Sequence, residues 1–157
     1  CAQANLTCTV TCNERGVLSL YSDCTEWAGT PEALTLRRAD TWNLETGYPI
    51  TASECFPRGT RVRALCLAAA REQCRRQQES SLAVYHPDFS RRLRRNLNLR
   101  NFYLSEKGFH FFYQPWAIAP GFEGCPTFLL PFSDSETDAA GPLWPAGNPC
   151  NAEKSIV

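Results

Sequence analysis

The chain has 157 residues, a length that suits one domain built around one hydrophobic core. Its hydrophobic content of 43% excludes a largely disordered chain, and no apolar run of about 18 residues offers a membrane-spanning helix. The net charge is zero, but residues 58–100 contain eleven arginines against three acidic residues, and both flanking parts are acidic.

Nine cysteines are a high number for a domain of this size. Such density is typical of oxidising compartments, where disulfides persist, so we predict a disulfide-stapled fold outside the cytoplasm, where nucleic acid is not an expected partner. With no C-x-x-C pair and only two histidines, the chain is not expected to hold a metal ion or another cofactor. Because nine is odd, one thiol must be free, pair with another chain or lie outside the fold.

Three strands are predicted in the N-terminal part of the chain. Residues 4–12 alternate between apolar and polar side chains, which is the period of a half-buried strand. The turn Asn13–Gly16 then leads into a returning strand over 17–27. After a break at Ala28–Pro31, a third strand is predicted over 33–43.

Two helices are predicted in the middle of the chain. Thr51 and Glu54 fit a capping box that opens a short helical turn, and Thr60 can cap a longer helix over 61–79. The apolar face of the longer helix repeats at spacings of three and four and consists of Val62, Leu65, Cys66, Ala69, Ala70 and Cys74. A shorter helix begins near residues 86–88 and carries an apolar residue at every fourth position.

The predicted elements limit the possible disulfide partners. Cys66 and Cys74 lie about 12 Å apart along the helix axis, too far to bond to each other. Each is therefore predicted to staple the helix to another element, unless one of them is free. Cys24 has Cys8 or a more distant cysteine as its candidate partner, and the full pairing scheme cannot be deduced.

The C-terminal strands complete an α+β fold. A hairpin is predicted over 99–104 and 108–114, with aromatic residues on both faces, and a last strand over 126–132. We expect an antiparallel sheet with one long and one short helix packed on it. Residues 1–134 form the predicted domain, and 135–157, rich in Gly, Pro, Ala and acidic residues, form a loosely ordered tail that Cys150 can tie down.

Three stretches together resemble a known family. They are LSL at 18–20 followed by WAG at 27–29, then WNLETG at 42–47 followed by ECF at 54–56, and finally NFYLSEKGF at 101–109 followed by WAIAPGFEG at 116–124. This order is similar to the extracellular domain of RsiV-type anti-sigma factors, which also precedes the catalytic part of PdaC-type cell-wall deacetylases. The resemblance covers residues 5–134.

The resemblance implies an α+β domain displayed outside a bacterial cell, either secreted or anchored to the surface. It also implies a binding function, since the RsiV member recognises lysozyme. The first residue, Cys1, fits either a lipid-anchored cysteine or the bare start of a processed chain. The sequence leaves the oligomeric state open.

The predicted binding edge consists of two loops. Trp116, Phe122 and Glu123 lie in an irregular loop after the strongest hairpin, and Thr30 and Glu32 lie in the loop before the third strand. No enzyme is expected, because Ser90, His86 and Asp88 are close in sequence without the context of a nucleophile elbow. The alternative partner to a lysozyme-like protein is an anionic cell-wall polymer bound by the arginines of 58–100. A structural domain without a dedicated ligand is a third reading.

Overall fold

The computed structural model describes residues 3–27, 29, 33–132 and 141–145. Each predicted strand and helix is confirmed within a few residues. In chain order the elements are β1 Gln3–Glu14, β2 Val17–Trp27, β3 Leu34–Asn43, α1 Val62–Glu79, α2 Phe89–Asn96, β4 Phe102–Ser105, β5 Gly108–Phe112 and β6 Thr127–Pro131. Within this part of the chain, no helix is long and apolar enough to cross a bilayer.

The strands form two antiparallel sheets, with the orders β1-β2-β3 and β4-β5-β6. The α+β prediction is confirmed, but the expectation of one sheet is wrong. The reason lies in how β4 meets the first sheet: the Leu104 amide donates to the buried Ser19 hydroxyl at 2.9 Å, and that hydroxyl also bonds the Thr41 hydroxyl at 2.7 Å. β4 therefore crosses the face of the first sheet and does not extend its edge.

The first sheet is buried at one end and exposed at the other. Near the turn between β1 and β2, Val17, Ser19 and Thr41 are buried. The opposite end projects, and residues 3–10 of β1 are exposed on both faces. A register shift between Val10 and Cys12 marks the border between the two parts. Leu6, Cys8 and Val10 share one face, as the alternation predicts, but the shift pairs Cys12 with the buried Ser19 and so places Cys12 on the opposite face.

The main core lies between the second sheet and the helices. α1 buries Val62, Cys66, Ala70 and Cys74, the face that its spacing predicts, and α2 buries Leu93. The second sheet contributes a group of aromatic side chains that stack on one another or meet at a tilt, which are Phe102, Phe109, Phe111 and Phe128. Thr51 donates its amide to the Glu54 carboxylate at 2.7 Å, as the capping box requires.

All seven cysteines in the described residues are free thiols, which leaves the predicted disulfide stapling without support. Cys66 and Cys74 are fully buried on the apolar face of α1, where a thiol packs as a small hydrophobic group. Cys8 and Cys24 lie on neighbouring strands without a bond between them. Cys1 and Cys150 lie outside the described residues.

Part of the predicted C-terminal tail lies against the domain. The Leu143 amide donates to the Cys55 carbonyl at 2.7 Å, and the Trp144 ring lies 5.6 Å from the ring of Phe132. The rest of that tail, residues 135–140 and 146–157, lies outside the described residues.

Candidate functional site

The loop 113–123 is fixed to α2 at two points. The buried Tyr113 hydroxyl donates to the Leu93 carbonyl at 3.0 Å, and the Asn96 side-chain amide donates to the Ala117 carbonyl at 2.8 Å. These bonds hold the backbone on both sides of residue 116. The loop is thus irregular in shape but anchored in place.

A third anchor joins the same loop to β3. The Gln114 side chain accepts the Arg37 amide at 3.0 Å and donates to the Arg37 carbonyl at 2.6 Å. One side-chain amide thereby satisfies both backbone groups of Arg37, as a neighbouring strand would. Arg37 is itself held by Asp23, whose carboxylate accepts Nε and Nη2 at 2.8 Å each.

Trp116 stands between these anchors in an unusual conformation. Its φ is 67°, in the left-handed region that a bulky residue rarely adopts. Its side chain is 54% exposed, and its indole ring lies on Gly121, where an added Cβ would overlap the ring. Strained residues that the surrounding structure holds in place cluster at functional sites. Trp116 is therefore the centre of the candidate site.

On one side of Trp116 lies a cleft of about 490 Å³ that we call the basic cleft. Its lining residues are Asp88, Arg91, Arg92, Arg95, Asn96, Pro115, Trp116 and Ala117. Asp88 is already engaged, because its carboxylate accepts Arg92 Nε at 2.6 Å. That hydrogen bond also lowers the pKa of Asp88. Arg91 and Arg95 make no ion pair within the described part of the chain, so the cleft presents net positive charge.

On the other side lies a smaller space of about 310 Å³ that we call the apolar hollow. Its lining residues are Ala33, Thr35, Pro115, Trp116, Gly121 and Phe122. Phe122 is 79% exposed. Trp116 thus separates a positively charged compartment from an apolar one, and a single ligand can touch both across its ring.

The predicted binding residues do not all lie at the same place in the structure. Trp116 and Phe122 both line the apolar hollow. The Glu123 carboxylate instead accepts the Val84 amide at 2.8 Å, which ties it to the segment before α2. Thr30 and Glu32 lie outside the described residues, although Ala33, the next residue in the chain, lines the hollow.

From the sequence, the loop with Trp116 and the arginines of 58–100 are two separate candidate binding sites. The structure brings Arg91, Arg92 and Arg95 into the same cleft as Trp116. The spacing of these arginines places them on neighbouring turns of α2, but their proximity to residue 116 depends on a long-range anchor. Asn96 supplies that anchor, and no local pattern predicts it.

A second polar cluster lies on the hairpin of β4 and β5. The His110 ring stacks on Tyr103 at 4.7 Å, and its Nε2 atom is 2.7 Å from the Ser105 hydroxyl. Burial lowers the pKa of His110, and the charge of Lys107 adds to that effect. The arrangement favours a neutral imidazole that links β4 to β5.

Comparison with known proteins shows a similarity to one family and indicates no activity. Residues 56–133 match the sequence model of the family described as "Protein of unknown function (DUF3298)". This range contains both helices, the second sheet and the loop with Trp116. No curated protein matches the chain.

Two solved structures share the fold. A DUF3298 family protein from Pseudomonas aeruginosa PAO1 aligns with a TM-score of 0.61 and 13% identity, over 82% of this chain and 57% of that one. A DUF3298 family member from Bacteroides fragilis NCTC 9343 aligns with a TM-score of 0.64 and 15% identity, over 97% of this chain and 57% of that one. The chain therefore spans little more than half the length of these structures, and its similarity to DUF3298 proteins appears in both sequence and fold.

Proposed function

We propose that this chain is a noncatalytic binding domain that acts outside the cytoplasm, and that it binds its ligand at Trp116. The observation that carries the proposal is the position of Trp116. An exposed indole is held in a strained backbone conformation between the basic cleft and the apolar hollow. A domain that needed this residue only for packing would bury it.

The charges around Trp116 favour an anionic ligand. Arg91 and Arg95 are exposed and unpaired within the described residues, whereas Arg63 is used structurally, donating to the Leu97 carbonyl at 3.1 Å and the Arg94 carbonyl at 2.6 Å. Guanidinium groups bind carboxylates and phosphates through paired hydrogen bonds. The basic cleft therefore suits a ligand that carries such groups.

The indole and the apolar hollow favour a ligand with a flat apolar side as well. The C–H groups on one face of a sugar ring can pack against the electron-rich face of an indole. An acidic glycan of the cell wall combines both features. Its ring would stack on Trp116, its acid group would meet Arg91 and Arg95, and an apolar substituent would enter the hollow beside Phe122.

The RsiV-like resemblance of residues 5–134 supports the extracytoplasmic location and the binding role. It suggests lysozyme as a ligand. Lysozyme is strongly basic, however, and the arginines of the basic cleft would repel it at this surface. Among the two partners, the site itself therefore favours the acidic glycan.

The test measures binding of sodium polygalacturonate, a carboxylated glycan, and of neutral dextran at low and physiological salt. We expect the carboxylated glycan to bind, and dextran to bind at least about tenfold more weakly. The affinity for the carboxylated glycan should fall at physiological salt, because salt screens the arginines. The double variant Arg91→Gln/Arg95→Gln should lose binding. The charge-matched variant Arg58→Gln/Arg75→Gln, outside the cleft, should retain it.

Lysozyme serves as the competing ligand in the same assay. If lysozyme binds even at physiological salt and Trp116→Ala abolishes that binding, the ligand of this site is a protein and not a glycan. Equal loss of glycan binding in both double variants would show that only the overall charge of the arginine-rich segment matters, which would contradict a site at Trp116.

A further inference from the structure

The outer edge of β1 is open from Gln3 to Val10. β1 is an edge strand of the first sheet, and the side chains of this segment are exposed. Within the described residues, no backbone group outside β2 forms a hydrogen bond to this segment. An open edge offers a row of amide and carbonyl groups, and another extended strand satisfies such a row along its length.

The opposite edge of the same sheet is closed. On β3, the Gln114 side chain occupies both backbone groups of Arg37, and Trp42 pairs with Pro49 further along the strand. Among the residues that the structure describes, the β3 edge is thus covered and the β1 edge is open.

The composition of β1 also lacks the usual protection of an edge strand. Gln3 to Asn13 contains no charged residue and no proline, and four of its residues are threonine or valine between Thr7 and Thr11. Natural edge strands commonly carry charges or proline that prevent pairing. The neighbouring strands do carry charges, at Asp23, Glu26, Arg37, Arg38 and Asp40.

One face of the projecting half of this sheet carries several exposed apolar side chains beside the charged residues Glu26, Arg38 and Asp40. Leu6 lies opposite Cys24, which lies opposite Leu36. Leu6 is 69% exposed, Val10 57% and Leu36 52%. Side chains alternate between the two faces along a strand. A further strand that pairs with β1 and places its own apolar side chains on the face of Leu6 would therefore continue this apolar row.

We propose that β1 pairs antiparallel with β1 of a second copy of this chain, about a two-fold axis near Thr7. This register uses the open segment from Ala4 to Val10 and places Leu6 opposite Cys8 of the second copy. A two-fold axis brings each strand against its own sequence, so a charged strand would meet its own charges. The uncharged β1 avoids that repulsion, and the product is a continuous six-stranded sheet.

The test is sedimentation velocity of the full chain over a wide concentration range, with reductant present throughout. We expect a reversible dimer. Thr7→Lys places two lysines opposite each other near the axis, so it should raise the dissociation constant at least about tenfold. Salt should partly restore its dimer by screening the lysines. Leu36→Lys, on β3 of the same sheet, should leave the dimer intact.

Three outcomes would overturn the proposal. A chain that stays monomeric at every concentration has no such pairing. Dissociation by Leu36→Lys, with or without dissociation by Thr7→Lys, would mean that the contact involves the face of the sheet that carries Leu36 and not the edge of β1 alone. Dissociation by neither variant would place the contact elsewhere. Thr7→Glu, which places two carboxylates opposite each other at the same position, repeats the edge test if Thr7→Lys alters the thermal melt.

Discussion

Single residues carry most of the chemistry that can be assigned to this fold. Trp116 was predicted from its place in a loop after a strong hairpin, and the structure adds its positive φ and its contact with Gly121. Glu123 was predicted as a binding residue, but its carboxylate accepts the Val84 amide. A sequence shows which residue types are present in a loop. It does not show which of them the backbone uses for its own hydrogen bonds.

His110 should make stability depend on pH. Burial lowers its pKa in the folded state, whereas in the unfolded chain its pKa is about 6.5. Below that pH the unfolded chain binds a proton that the folded chain lacks, so the free energy of unfolding should fall as the pH drops from 7 towards 5. Urea unfolding at several pH values measures this slope.

The second histidine of the chain provides the control. His110→Gln should flatten the slope between pH 7 and 5, whereas His86→Gln retains His110 and should keep it. Equal slopes in both variants and the original chain would mean that His110 has no part in the pH dependence.

At the scale of elements, periodicity was sufficient to find the strands and helices. The alternation in β1 and the spacing of three and four in α1 each depend on local geometry, and both elements form where they were predicted. The disulfides were inferred from cysteine number, which has no such geometric basis. Cys66 and Cys74 instead lie on the core face of α1 as free thiols.

The buried thiols should be unreactive in the folded protein. Burial raises the pKa of Cys55 and Cys66 to about 12 and that of Cys74 to about 11, and a thiol reacts as its thiolate. A chromogenic disulfide reagent at pH 8 should modify the exposed Cys8 promptly and these three only after unfolding. An unchanged melting temperature with reductant is expected, and a drop of several degrees would restore the disulfide hypothesis.

At the scale of the whole molecule, the two sheets meet through a small buried polar contact. Ser19 bonds both the Thr41 hydroxyl and the Leu104 amide. The sequence predicted each strand but not this junction. Ser19 has an ordinary place in the alternation of β2, and its partner Leu104 lies 85 residues further along the chain.

Replacing Ser19 should destabilise the contact between the sheets. Ser19→Ala leaves the Leu104 amide and the Thr41 hydroxyl without a partner in a buried place, which costs about 1–3 kcal/mol of unfolding free energy. Ser22→Ala, on the same strand but only half-buried, should cost much less. If urea unfolding shows that Ser19→Ala and Ser22→Ala lose the same unfolding free energy, the buried junction makes no specific contribution to stability.

The central claim is that an acidic ligand binds at Trp116, and calorimetric titration of polygalacturonate tests it most directly. Trp116→Ala should weaken binding at least about tenfold while the thermal melt stays near that of the original chain. Tyr48→Ala removes another aromatic ring, 73% exposed and outside the site, and should leave binding unchanged. Equal affinity for Trp116→Ala and the original chain, or a large loss of melting temperature in that variant, would contradict the account.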